Sequence, residues 1–361
     1  MLELDGIELV LDGQTFLSRT DLVLERGTLN VLLGPTLAGK TSLMRVMAGL
    51  DVPTRGEIRW NGKRVNGDRV QSRDVAMVYQ QFINYPAMTV YDNIASPLRI
   101  KGRPAAEIDR KTRAVAELMK LTPLLDRRPQ NLSGGQQQRC ALARALVKEA
   151  GLVLLDEPLA NLDYKLREEL REEMPRIFEQ SGAIFVYATT EPEEALLLNG
   201  NTATMWQGRV TQFGRSTQVY RNPVDVTTAR VFSDPPFNFW QVEKRGNRIV
   251  FGEGQSFATT APMAALPDGP YQAGFRAAHL ELHQHRAGAV AFTCRLIVTE
   301  ITGSETFLHL EHGADRWVGV VHGVHDLAPE SLMSVWLDPA HCYLFGPEGG
   351  LCATAAYAMR N

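Results

Sequence analysis

Histidine is missing from the first 278 residues of this 361-residue chain; all eight lie between positions 279 and 341. Imidazole chemistry, whether proton transfer near neutral pH or metal ligation, is therefore excluded from the first three quarters of the sequence. Cysteine is scarce as well. Cys140, Cys294, Cys342 and Cys352 lack paired metal-ligand spacing, and a chain this long does not need disulfides, so reduced thiols are expected. No apolar run approaches the ~18 residues that a membrane span requires. Neither sign of charge dominates: a net charge of −3 gives no electrostatic reason to expect a nucleic-acid partner. The opening residues MLELDGIELV carry acids and no basic leader, so no secretory signal is expected.

What is present is ordinary globular composition, 44% hydrophobic and 22% charged, at a length that predicts two domains. The first part alternates strand-like and helix-like patterns. Residues 28–33 predict a short apolar strand, residues 40–48 a helix ended by Gly49, and residues 107–120 a helix with Ile108, Val115, Leu118 and Met119 on one face. Residues 152–155 and 183–188 are continuous apolar runs, the pattern of strands buried on both faces. Together these predict an α/β domain around a mostly parallel sheet, over residues 1–235. Beyond Asp234-Pro235-Pro236 the pattern changes to short β-prone stretches at 248–251, 292–298, 306–310, 317–321 and 332–337, predicting an all-β domain over residues 236–361.

Three motifs carry chemistry. Residues 34–41, GPTLAGKT, place a glycine-rich turn between a predicted strand and a predicted helix. Such a turn aims backbone N–H groups at phosphate oxygens, with Lys40 reaching the β- and γ-phosphates and Thr41 a Mg²⁺ ion. Gly34, Pro35, Thr36, Leu37, Ala38, Gly39, Lys40, Thr41 and Ser42 are thus candidate ATP-binding residues. Residues 152–157, LVLLDE, end a buried strand with Asp156, suited to the Mg²⁺ shell, and Glu157, suited to polarising an attacking water. Residues 132–139, LSGGQQQR, supply an N-cap at Ser133 and unencumbered N–H donors at Gly134 and Gly135, followed by Gln136.

The last string resembles the signature motif of ABC ATPases, which closes on ATP held by the opposing subunit of a dimer. By that resemblance Gln80, in MVYQQFINYP, matches the Q-loop glutamine that senses the γ-phosphate and Mg²⁺, and Asn161-Leu162-Asp163 matches the D-loop. Residues 85–94 (YPAMTVYDNI), with 274–280, 303–310 and 338–345, resemble the carbohydrate-uptake branch, the maltose and glycerol-3-phosphate importer ATPases. The implied fold is a P-loop ATPase domain with a helical subdomain at about 82–132, followed by an OB-type β regulatory domain. The implied partners are a second ATPase subunit, two transmembrane permease subunits contacting the 82–93 segment, and indirectly a solute-binding protein, with the chain peripheral on the cytoplasmic face of the membrane. A sugar, polyol, glycerol or glycerol phosphate is the implied solute. Soluble ABC ATPases of translation or repair are the other class; they carry fused halves or long coiled-coil insertions, which this chain lacks. A largely regulatory nucleotide-binding subunit is the third.

Three departures from that family fall on one nucleotide site. A histidine in a T-H-D context follows the last catalytic strand in the family, whereas here Thr190 takes its place among the candidate catalytic residues Glu157, Gln80 and Thr190. An aromatic residue stacks on adenine in the family, and Leu11 stands at that position; the nearby Phe16 is a candidate substitute, though out of register with it. Losing such a stack costs ~1–3 kcal/mol. Leu37 replaces a glycine inside the phosphate loop. With the trans-acting signature intact and its own site altered, the chain is expected to pair with a different ATPase subunit. His283, His285, His322 and His325 lack a completing ligand set, and the charged stretch 165–173 reads as a solvated helix face.

Overall fold

The computed structural model describes residues 1–160, 162–252 and 254–359. The chain forms two compact units, Met1–Ser216 and Thr217–Asn361. This division lies ahead of the 235/236 boundary expected from composition. The reason is visible in the short helices Ser216–Arg221 and Val226–Val231. Backbone bonds from Val226 to Gly349 and from Leu351 to Val224 tie this segment to the C-terminal strands, so the composition change at the prolines follows the structural one.

In the first unit the apolar runs do become the buried strands. A six-stranded sheet has the order β10-β9-β3-β8-β7-β6. Its members are β3 (Leu29–Leu33), β6 (Val75–Val78), β7 (Leu152–Asp156), β8 (Ile184–Thr189), β9 (Asn201–Trp206) and β10 (Arg209–Arg215). All neighbours pair in parallel except β9 and β10. Every residue of β7 and β8 is buried, as expected of strands covered on both faces. A second, antiparallel sheet, order β2-β1-β4-β5, contains β1 (Leu2–Leu11), β2 (Gln14–Leu24), β4 (Arg55–Trp60) and β5 (Lys63–Arg64). Helix α1 (Lys40–Ala48) lies in the common core, where Leu43, Met44, Val46 and Met47 pack with Leu4, Ile7 and Leu9 of β1 and Leu154 of β7.

Between β6 and β7 the chain builds a helical layer: α2 (Val90–Ile100), α3 (Ala105–Leu118) and α4 (Gly134–Val147). Asn93, fully buried on α2, holds the segment before it. Its Nδ2 donates to the carbonyls of Tyr85, Met88 and Thr89, and its Oδ1 accepts from the Tyr85 N–H. After β7 comes α5 (Tyr164–Ser181), capped by the Asp163 side chain, which accepts from the Leu166 N–H.

Among the described residues the second unit holds a pair of antiparallel sheets, of six and five strands, with only short helices. Trp240, Phe275, Phe292 and Trp317 interlock mostly edge to face in its core, with centroids 5.1–5.9 Å apart. Near the end of the chain His279 and His341 stack at 4.0 Å, with Tyr357 packed on both.

Burial, reinforced by His341 and Arg276 against the opposing pull of Asp338, depresses the His279 pKa to about 3. His341 is lowered too, by burial first. An unfolded histidine takes up its proton near pH 6.5, so the stability held by the neutral pair is complete above that value and lost as pH falls toward about 3. Chemical denaturation of the full chain at pH 7.5 and pH 5 is expected to show a lower midpoint at pH 5 for the second unit, and a smaller drop in His279→Phe.

Candidate functional site

The phosphate-loop motif lies at the C-terminal end of β3, where two glycines answer to close backbone contacts. A Cβ on Gly34 would sit 2.4 Å from the Met205 carbonyl oxygen. Gly39 has φ +99°, and a Cβ there would lie 3.2 Å from Gly208 Cα, Leu17 Cδ2 and the Phe16 carbonyl oxygen. Leu37 also takes a positive φ, +67°, and is 94% exposed. A leucine there gives up the relief a glycine would provide. Pro35, Thr36, Ala38 and Ser42 complete the loop and the first turn of α1.

Lys40 is 5% exposed, and its Nζ donates to the carbonyls of Gly34 (2.7 Å) and Pro35 (3.1 Å). Burial lowers its pKa, and the charges of Glu157 and Asp156 oppose that shift. Thr41 Oγ1 donates to Asp156 Oδ2 at 2.8 Å, so a hydroxyl and a buried carboxylate stand side by side. These are hard oxygen donors of the kind a Mg²⁺ ion takes. Burial raises the pKa of Asp156, against the Thr41 bond and Lys40. Glu157 follows at φ +47°, with its N–H bonded to the Ala188 carbonyl of β8 at 3.0 Å. Burial raises its carboxyl pKa, as do Asp156 and Glu194, while Lys40 and the Gln80 bond lower it. Gln80 Nε2 donates to Glu157 Oε2 at 2.8 Å, leaving the amide oxygen for another partner. Five sequence-predicted residues, Lys40, Thr41, Gln80, Asp156 and Glu157, thus meet in one site.

Thr190 is exposed at the turn after β8. Leu11 ends β1 at the hairpin tip, 45% exposed. The signature residues cap α4 reciprocally: the Gln136 N–H donates to Ser133 Oγ (3.3 Å) and the Ser133 N–H to Gln136 Oε1 (3.0 Å), with Ser133 and Gly134 exposed. Asp163 caps α5, and Asn161 lies outside the described residues.

Two sets of residues escaped the sequence reading. Buried Gln138 donates from α4 to the Pro158 carbonyl, next to Glu157, and Arg144 bonds the Ile83 carbonyl and stacks over Tyr85 at 4.7 Å. The other set corrects the expectation of a solvated face at 165–173 for Arg167 and Arg171, while Lys165, Glu172 and Glu173 are exposed as expected. Glu194, 6% exposed at its side chain, accepts from Thr189 Oγ1 (2.6 Å), Tyr187 Oη (3.0 Å) and Arg171 (3.0 Å). Arg171 also reaches Glu191 (2.8 Å) and Glu168, and Arg167 reaches Glu191 (3.3 Å). Two arginines four apart on one helix share a face, and Glu191 and Glu194 stand three apart opposite them; that pairing was the available signal.

Residues 17–160 match the ABC transporter family. The chain is 37% identical to the sn-glycerol-3-phosphate import ATP-binding protein UgpC of Chromohalobacter salexigens, over 96% of this chain and 95% of that one. The chain belongs to the ATP-binding subunits of ABC transporters. This ABC subunit is also 42% identical to the trehalose/maltose import ATP-binding protein MalK of Thermococcus litoralis, over 66% of each chain. A bacterial ABC transporter cassette solved as a dimer superposes with a TM-score of 0.56 at 26% identity, covering 60% of this ABC subunit and 99% of the cassette.

Breaking a buried ion pair strands the remaining charge, typically at ~3–5 kcal/mol. Glu194→Ala in the ABC subunit is expected to lower unfolding free energy by about 3 kcal/mol in urea titrations, and Arg171→Met combined with Glu194→Met to recover part of that loss.

Proposed function

We propose that this chain binds and hydrolyses ATP to drive an importer of a small carbohydrate-like solute, with a sugar, polyol, glycerol or glycerol phosphate as cargo. The observation that carries the reading is the convergence of Lys40, the Thr41–Asp156 pair and the Gln80–Glu157 pair on one strand-end site. The near full-length likeness to a glycerol-3-phosphate import protein supports the cargo class.

In this reading Lys40 exchanges its loop carbonyls for phosphate oxygens, and backbone N–H groups among residues 36–42 cradle them. A Mg²⁺ ion supplies charge neutralisation when bound, and Thr41, Asp156 and Gln80 are the residues to hold it. Glu157, its pKa raised by burial, orients water and accepts its proton. The Gln80–Glu157 bond links this base to the segment that leads into the helical layer.

The permease contact lies on that layer. A groove of about 410 Å³ is lined by Tyr85, Pro97, Ile100, Ala141, Arg144 and Lys148, with Ile100 84% exposed. Ile83, Tyr85 and Met88 are exposed beside it and pinned through Asn93 and Arg144. Such an apolar patch suits a short amphipathic segment of a membrane subunit. No helix of the described residues is long and apolar enough to cross a membrane.

The ATPase dimer in this reading is unequal. Ser133, Gly134, Gly135 and Gln136 present an intact helix N-terminus for the partner's ATP, while Thr190 offers a hydroxyl where an imidazole serves in the family. A threonine donates a hydrogen bond but carries no charge. The altered site turns over slowly, and the signature serves a faster site on a different partner subunit.

Lys40→Ala is expected to abolish ATP affinity in titrations of the purified chain; an unchanged dissociation constant would sink the phosphate-loop reading. In the reconstituted transporter, Ser133→Arg is expected to cost more ATPase activity than Glu157→Gln. Equal losses, or a larger one from Glu157→Gln, would make this chain's own site a main engine.

A further inference from the structure

We infer that Phe16 supplies the π-face for the purine base of the nucleotide held by residues 34–42, in place of Leu11; this rests on the ATP-binding reading above. The register of the β1–β2 hairpin shows why spacing alone misplaces it. Leu9 pairs with Leu17 and Val10 with Thr15, so β2 carries one extra residue there, and that residue is Phe16. An extra residue of this kind bends its strand and re-aims its side chain, and such bulges gather beside functional sites. A count along β1 to the aromatic position therefore ends on Leu11, while the hairpin delivers its only aromatic side chain from the opposite strand.

The bulge is fastened to the phosphate loop itself. The Phe16 carbonyl oxygen would lie 3.2 Å from a Cβ on Gly39 and 2.6 Å from one on Gly208. Gly208 in turn donates to the Ala38 carbonyl and accepts from the Ser18 N–H, both at 2.9 Å. Residues 16–18, Gly208 and residues 38–39 thus form one backbone cluster at the head of α1. The next residue, Leu17, fills the core and is fully buried, whereas Phe16 stays 37% exposed beside the loop. An aromatic ring left to solvent at the rim of a nucleotide site has the chemistry that a base requires, since every base offers a π-face of its own. Leu11 presents apolar bulk without one.

The test uses the purified full chain, titrated with ATP and with inorganic tripolyphosphate, which carries the charges of the nucleotide and no base. Phe16→Leu keeps the apolar bulk and is expected to weaken ATP binding about 5- to 150-fold with tripolyphosphate unchanged. Phe16→Trp is expected to restore ATP affinity, with indole emission over the wild-type background quenched by ATP and not by tripolyphosphate. Leu11→Ala is expected to stay within about twofold of wild type, far from the loss a stacking residue shows. The proposal is overturned if Phe16→Leu binds ATP normally, if it loses ATP and tripolyphosphate alike, if Phe16→Trp shows no ATP-specific quench, or if Leu11→Ala carries the loss instead. Wild-type chain that binds neither probe would overturn the nucleotide reading itself, which is a separate result.

Discussion

A buried ammonium group must be neutralised, and the nucleotide face of the first unit is arranged around meeting that demand for Lys40. Its nearest anionic support comes from Asp156 and Glu157, yet β7 is not the neighbour of β3; β8 lies between them. The gap is closed at the strand ends. The Gly34 N–H bonds the Thr189 carbonyl, and the Glu157 N–H bonds the Ala188 carbonyl, so the phosphate loop and the acidic turn both hang on the last residues of β8. Positive φ at Leu37 and Glu157 is the local cost of turning the chain so sharply at both places. The same strand end carries Thr189 into the Glu194–Arg171 network, which makes α5 part of the support.

The helical layer is joined to this centre by side chains rather than by sheet. Asn84 donates to the Gln137 carbonyl, Arg144 to that of Ile83, and Gln138 to that of Pro158. A rigid α4 therefore touches the exposed 83–88 segment on one side and the turn after Glu157 on the other. This is a continuous physical connection of the sort that carries displacement between sites.

Much of this was legible in the sequence because its signals are local. A glycine-rich turn between an apolar strand and a helix, and an acidic pair after a buried run, are defined by a few adjacent residues, and α1 spans the predicted 40–48. What escaped depends on registration between distant segments. The Phe16 bulge is invisible until β1 and β2 are paired, and Arg171 reads as solvated until Glu191 and Glu194 arrive from twenty residues away. The structural division lies ahead of the composition change for a related reason. The short helices at Ser216–Arg221 and Val226–Val231 precede the β-prone stretches, and bonds from Arg221, Val224 and Val226 to residues 343–354 tie them to the second unit.

The distribution of imidazoles leaves a practical mark. The unit Met1–Ser216 has none, so every histidine resonance in a proton spectrum belongs to the all-β unit. Reagents that acylate imidazole find no histidine on the nucleotide-binding unit, so every histidine adduct they form on this chain lies in the other one. The sequence thereby gives an imidazole label to one unit and none to the other.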